Sequence, residues 1–118
     1  MENVVKYHLS YDGNPIGLFN TLDEAEYQAA MDSGWTEEEY QENFAFAKSQ
    51  CNKYGGDIFS KNGRDSLYFF DRIVLDEQGN IVAINEQPFD EFIQDTYVSM
   101  DDEDFVTIKQ KVTEYYIM

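Results

Sequence analysis

The stretch "SLYFFDRIVL" (Ser66–Leu75) decides the fold that we expect for this chain. Apolar side chains fall on both alternating sets of positions, so a strand formed here would bury both of its faces. We therefore predict a central strand of a sheet. The turn-forming run "DEQGN" (76–80) leads from it into "IVAIN" (81–85), which predicts a neighbouring strand that runs back along it.

A second hairpin is predicted just before this central strand. The dipeptide Asn62–Gly63 lies between "IFS" (58–60) and the central strand. Asn-Gly is the strongest short-range signal for a two-residue hairpin turn. We therefore expect "IFS" to form a strand.

The N-terminal segment "VVKYHLSY" (Val4–Tyr11) alternates between apolar and polar side chains. This period predicts a half-buried strand whose polar face carries Lys6, His8 and Ser10. The turn formers "DGNP" (12–15) separate it from "IGLF" (16–19), which predicts a return strand and an N-terminal hairpin.

Two helices are predicted between the hairpin and "IFS". Thr21 with Glu24 and Thr36 with Glu39 have the spacing of a capping box, in which two side chains bond the free N–H groups at a helix start. Gly34 suits the end of the first helix, and Gly55 with Gly56 suits the end of the second. A stripe at helical spacing predicts the buried face of the second helix: Tyr40, Phe44, Ala47 and Cys51.

The C-terminal third leaves one assignment open. Phe89, Phe92 and Ile93 indicate a short helix, whereas residues 102–116 fit a helix or a strand almost equally well. Asp101 and Asp102 favour the helix. We predict a single α+β domain over residues 1–118, with an antiparallel sheet of about four or five strands and the helices packed on one face.

The charge of the chain is its main functional signal. It carries 24 acidic and 8 basic residues, a net charge of -16. Two blocks contain no Lys or Arg, namely residues 7–47 with nine acids and residues 73–108 with ten. Such a charge opposes direct binding to nucleic acid or to anionic lipid, so we expect a basic protein partner. The lack of a secretory signal and of a membrane-spanning apolar run predicts a cytoplasmic protein.

Fold and solubility account for only part of this charge. Acids at a helix start are stabilised by the helix dipole, and a net charge of about 2–8 suffices for a small domain. We therefore expect the excess to serve a partner. The predicted contact residues are two acidic runs and a neighbouring tryptophan: Trp35, Glu37, Glu38, Glu42, Asp101, Asp102, Glu103 and Asp104. Further aromatic residues beside the acids are candidate hot spots: Tyr40, Phe89 and Phe92.

In charge, size, aromatic content and lack of motifs, the whole chain resembles the phage-encoded inhibitors of host defence that mimic DNA, the anti-CRISPR and anti-restriction proteins. This resemblance implies a target such as an RNA-guided nuclease or a restriction enzyme, in the cytoplasm of a bacterial host. Two alternatives stay open. One is an immunity protein that neutralises a nuclease toxin, and the other is an acidic adaptor or structural domain.

No catalytic or cofactor-binding motif is present in the sequence. His8 and Cys51 are the only histidine and cysteine, and metal sites built on these residue types need more ligands than one of each. Carboxylates are so numerous that no pair of them stands out as an acid–base candidate. We therefore predict a protein that is not an enzyme and that uses no metal or cofactor.

Overall fold

The computed structural model describes residues 3–59, 67–97 and 104–117. Its elements follow in the order β1 (Val4–Tyr11), β2 (Asn14–Phe19), α1 (Leu22–Ser33), α2 (Glu37–Tyr54), β3 (Tyr68–Leu75), β4 (Ile81–Ile84), β5 (Gln87–Pro88), α3 (Phe89–Tyr97) and α4 (Phe105–Ile117). The strands form one antiparallel sheet in the order β2-β1-β3-β4-β5. The predicted α+β class and antiparallel sheet are confirmed.

The central strand predicted from "SLYFFDRIVL" is confirmed as β3. It pairs with β1 along its whole length, from Val4 opposite Leu75 to Tyr11 opposite Tyr68. On its other side it pairs with β4, with Ile73 opposite Ile84. Both edges of β3 are therefore paired, and buried side chains lie on both of its faces, Tyr68 on one and Ile73 and Leu75 on the other, whereas Phe69 is 55% exposed.

The N-terminal hairpin is confirmed, and it has a two-residue turn. Asp12 and Gly13 connect Tyr11 to its partner Asn14, with φ angles of 50° and 81°. A two-residue turn with positive φ at both central positions matches the twist of the strands that it joins. Asp-Gly is among the residue pairs that adopt this conformation with the least strain.

Both helix starts were predicted correctly, but the complete capping box that was predicted for each forms only at α2. At α2, Glu39 N donates to Thr36 Oγ1 at 3.1 Å and Thr36 N donates to Glu39 Oε1 at 3.2 Å, a complete capping box. At α1, Glu24 N donates to Thr21 Oγ1 at 3.1 Å, whereas the Glu24 carboxylate accepts from Asn20 N. Gly34 ends α1 in the left-handed conformation, with φ of 114°.

The helices cover both faces of the sheet, which corrects the expected packing on one face. On one face, the Leu9 face, Leu9 packs with Ala29 and Ala30 of α1 and with Phe44 of α2. The opposite face, the His8 face, carries Ile73, which packs with residues of α3 and α4. The predicted polar side of β1 therefore lies in the interior, with His8 only 2% exposed. The alternating pattern predicted a strand with one polar, half-exposed face, but β1 is an inner strand and α4 covers that face.

Two further strand and helix assignments are settled by the structure. Ile58 and Phe59 lie in a turn, so the expected strand at "IFS" is wrong within the described residues, and β5 supplies the fifth strand instead. The Asn62–Gly63 turn lies outside the described residues. The open assignment near the C-terminus is a helix, α4, whose first turn is bonded to Asp104.

Candidate protein-binding surface

Helix α2 is attached to the rest of the protein along one narrow side. Of its 18 residues, Phe44 alone is fully buried, while Tyr40, Ala47 and Cys51 are half-buried. The Phe44 ring lies 5.4 Å from Trp35, 4.4 Å from Tyr40 and 6.2 Å from Phe59, measured between ring centroids. The predicted stripe therefore faces the protein, and the opposite side of α2 faces solvent.

That solvent side carries three residues at four-residue spacing, Glu38, Glu42 and Phe46, which we call the α2 outer face. Four residues are about one helical turn, so their side chains follow one another along the helix, with a rise of about 6 Å between neighbours. All three are exposed, and Phe46 keeps 67% of its surface accessible. A phenylalanine so exposed beside two carboxylates combines an apolar ring with negative charge.

Neither carboxylate of the α2 outer face is neutralised. Within residues 3–59, 67–97 and 104–117, Glu38 and Glu42 make no ion pair and no hydrogen bond. In contrast, Glu26 of α1 pairs with Lys48 of α2 at 2.7 Å, so the base on α2 nearest to these acids has a partner elsewhere. Like charges at this spacing oppose helix formation slightly, and of the two carboxylates only Glu38, in the first turn of α2, gains from the helix dipole.

The other predicted contact residues near α2 have structural partners. Glu37 is exposed but lies about 100° around the helix from Glu38, and its carboxylate accepts from Gln41 Nε2 at 3.4 Å. Trp35 is half-buried, and its indole N–H donates to the backbone oxygen of Ile58 at 3.0 Å. The structure therefore does not bring Trp35 or Glu37 onto the α2 outer face.

The second predicted acidic run lies mostly beyond the described residues. Asp101, Asp102 and Glu103 fall outside them, and Asp104 is exposed at the start of α4. The Asp104 carboxylate accepts from Thr107 N at 2.7 Å, and this backbone hydrogen bond lowers the pKa of Asp104. Asp104 therefore stabilises the start of α4, because its carboxylate accepts a hydrogen bond from a backbone N–H of the first turn.

The aromatic residues predicted as hot spots are buried or half-buried, whereas Phe46, an exposed aromatic residue beside the acids of α2, was not predicted. Tyr40 is half-buried against Tyr27 and Phe44, Phe89 is 7% exposed, and Phe92 packs on the core of the His8 face. Phe46 is the aromatic residue of α2 beside the acids that reaches solvent. The sequence held a usable signal, because Phe46 falls on the opposite side of the helix from the Tyr40–Phe44 stripe.

The residues that carry reactive side chains are far apart in the fold. His8 lies on the His8 face under α4, whereas Cys51 lies on α2, which packs on the Leu9 face. Within the part of the chain that the structure describes, no group of three or more His, Cys, Asp or Glu side chains could hold a metal ion. Over the same residues, no helix combines the length and the apolar character that crossing a membrane requires.

The chain matches no known protein family and no curated protein. The distinctive feature of its surface is the α2 outer face, with one exposed ring and two carboxylates that have no ion-pair partner among the described residues, on a helix that the fold holds by its opposite side.

Proposed function

We propose that this protein is an inhibitor that binds the basic nucleic-acid channel of a target enzyme in place of DNA, with an anti-CRISPR or anti-restriction role in a phage or mobile element. The observation that carries the proposal is that Glu38 and Glu42 on the α2 outer face have no ion-pair partner among the residues that the structure describes. Carboxylates that the fold leaves without bases are suited to meet the Lys and Arg side chains that normally hold phosphates.

The attachment of α2 at its start and along its inner side supports this proposal. A capping box fixes the start of the helix. The Phe44 cluster, which is Phe44 with the rings of Trp35, Tyr40 and Phe59, fixes its inner side. The two carboxylates are therefore held in place before binding, so little conformational freedom is lost when a partner binds. The net charge of -16 adds a long-range attraction that speeds the encounter with a basic surface.

Phe46 gives the surface an apolar contact that charge alone lacks. Interfaces gain most of their binding energy from a few aromatic or arginine side chains that become fully desolvated. The Phe46 ring follows Glu42 by one helical turn, so a channel that binds both carboxylates can bury the ring in the same contact. The proposed contact therefore consists of a charged part and an apolar part.

The test is capture followed by displacement with DNA. The protein is immobilised, incubated with a bacterial lysate at about 50 mM salt, washed, and then eluted with duplex DNA. We expect nucleic-acid enzymes to be retained and to leave with the DNA, because both ligands use the same channel. If nothing is retained, or if DNA displaces none of the retained proteins, channel blocking is wrong. A nuclease toxin among the eluted proteins would indicate the immunity-protein alternative.

A further inference from the structure

His8 is a buried histidine whose ring nitrogens have no partner at hydrogen-bond geometry among the described residues. It is 2% exposed, and neither ring nitrogen meets hydrogen-bond geometry with any described atom. The imidazole lies against two rings of α4, with centroid distances of 5.0 Å to Tyr115 and 4.8 Å to Tyr116. A neutral imidazole already buries one N–H donor and one acceptor here, and protonation would add a charge and a second donor at the same place.

The groups that face His8 from the neighbouring elements do not remove this penalty. Asp71 lies directly opposite on β3, and Asn85 Nδ2 donates to its carboxylate at 2.8 Å. The position opposite on β2 is the apolar Leu18. On β1 itself, Lys6 and Ser10 share the His8 face, and Lys6 adds a positive charge.

The remaining titratable groups at this place are phenols and Lys111 of α4, which lines a cavity with Tyr97 and Tyr115 and adds a second positive charge. Tyr97 of α3 and Tyr115 and Tyr116 of α4 surround the same region. Burial, with a smaller effect of Asp71, raises the pKa of Tyr116 well above its usual range, so this phenol offers no negative charge. For His8, burial lowers the pKa, and this effect exceeds the opposing effects of the Asp71 carboxylate and the Tyr115 backbone.

Helix α4 is the element whose departure would expose His8 to water. It is held by three buried side chains, Ile108, Val112 and Tyr116, and by a hydrogen bond from Tyr115 Oη to the oxygen of Gly13 at 3.0 Å. One exposed ion pair, Lys109 with Asp90 at 2.9 Å, ties it to α3. Since α1 and α2 pack on the other face of the sheet, α4 can leave without disturbing them.

We propose that His8 is an acid-sensitive latch, whose protonation releases α4 from the His8 face while α1 and α2 stay packed on the Leu9 face. Because the folded pKa is lowered from the ordinary value of 6.5, the open state binds the proton first. The full stability of the closed state is therefore present above about pH 6.5 and falls as the pH drops below it. A single proton can raise the opening equilibrium by up to about tenfold per pH unit.

The test is hydrogen exchange measured by mass spectrometry at about pH 7 and about pH 5.5, with rates corrected for the intrinsic effect of pH. Histidine is the side chain whose ordinary pKa lies between these two pH values, and His8 is the only histidine of the chain. We expect the protection factors of the α4 amides to fall by up to about tenfold at the lower pH, while the protection factors of the α1 amides stay unchanged. Equal protection of α4 at both pH values would overturn the latch.

Two variants separate His8 from the general effect of acid. The His8→Phe variant keeps an aromatic ring that cannot bind a proton, so α4 protection should no longer depend on pH. The Ser10→Ala variant changes another buried residue of the same face and should retain the dependence. An unchanged pH dependence in His8→Phe would contradict the proposal. If that variant does not fold, an NMR titration of His8 in the parent decides, because a midpoint at or above 6.5 overturns the latch.

Discussion

Replacing Phe44 with alanine tests how α2 is held. Phe44 is 6% exposed and contacts three rings, of Trp35, Tyr40 and Phe59. Truncation of a buried phenylalanine costs about 3–5 kcal/mol through lost burial and the cavity that remains. At about 4 °C for each kcal/mol in a chain of this size, the melting temperature should fall by about 12–20 °C.

Phe46→Ala is the matched control, because it makes the same chemical change two residues away on the same helix. Since Phe46 is 67% exposed, this change should alter the free energy of unfolding by about 0.5 kcal/mol or less. Thermal melting followed by circular dichroism compares the two variants, and fluorescence of the single tryptophan, Trp35, reports on the Phe44 cluster. Equal losses in the two variants would refute the assignment of the inner and outer sides of α2.

Two further predictions concern the capping box and the overall charge. Thr36→Ala removes the side chain that accepts from Glu39 N at 3.1 Å, so urea unfolding should show a loss of about 0.5–2 kcal/mol. Glu38→Ala removes no such bond, and the relief of repulsion with Glu42 offsets the loss of a first-turn acid, so it should cost less than Thr36→Ala. Equal losses would contradict the capping role of Thr36. Added NaCl should raise the melting temperature, because it screens repulsion within a net charge of -16; a lower melting temperature in salt would mean that favourable ion pairs outweigh the repulsion.

The sequence predicted those parts of the fold that depend on local chemistry. The Thr36–Glu39 capping box and the Asp12–Gly13 turn each follow from residues within a few positions of one another. The central strand β3 was also predictable, because a strand with apolar residues on both faces is typical of the interior of a sheet.

Features that depend on distant partners could not be predicted in this way. The burial of His8 depends on α4, which is more than ninety residues away in the chain. The strand β5 has two residues and contains Pro88, so it carries no strand pattern of its own and exists by pairing with Ala83 and Ile84.

The candidate site was predicted in part. Glu38 and Glu42 were chosen from the lack of nearby bases, and the structure places them together on the α2 outer face. Phe46 was not predicted, because nearness to acids in the sequence does not show which side of a helix a ring lies on. The side of the helix on which each ring lies would have distinguished Phe46 from Tyr40.

The most direct measurement of the central claim is the affinity of a charge-reversed α2 outer face for a captured target enzyme. Glu38→Lys with Glu42→Lys is compared with Glu77→Lys with Glu91→Lys, which changes the net charge equally at two exposed positions elsewhere. The account predicts that both variants melt like the parent. The first variant should bind at least about tenfold more weakly, a loss of about 1.4 kcal/mol in binding free energy. The second should bind within a few-fold of the parent. Equal weakening in both variants would mean that only net charge matters, and unchanged binding of the first would mean that the α2 outer face is not the contact surface.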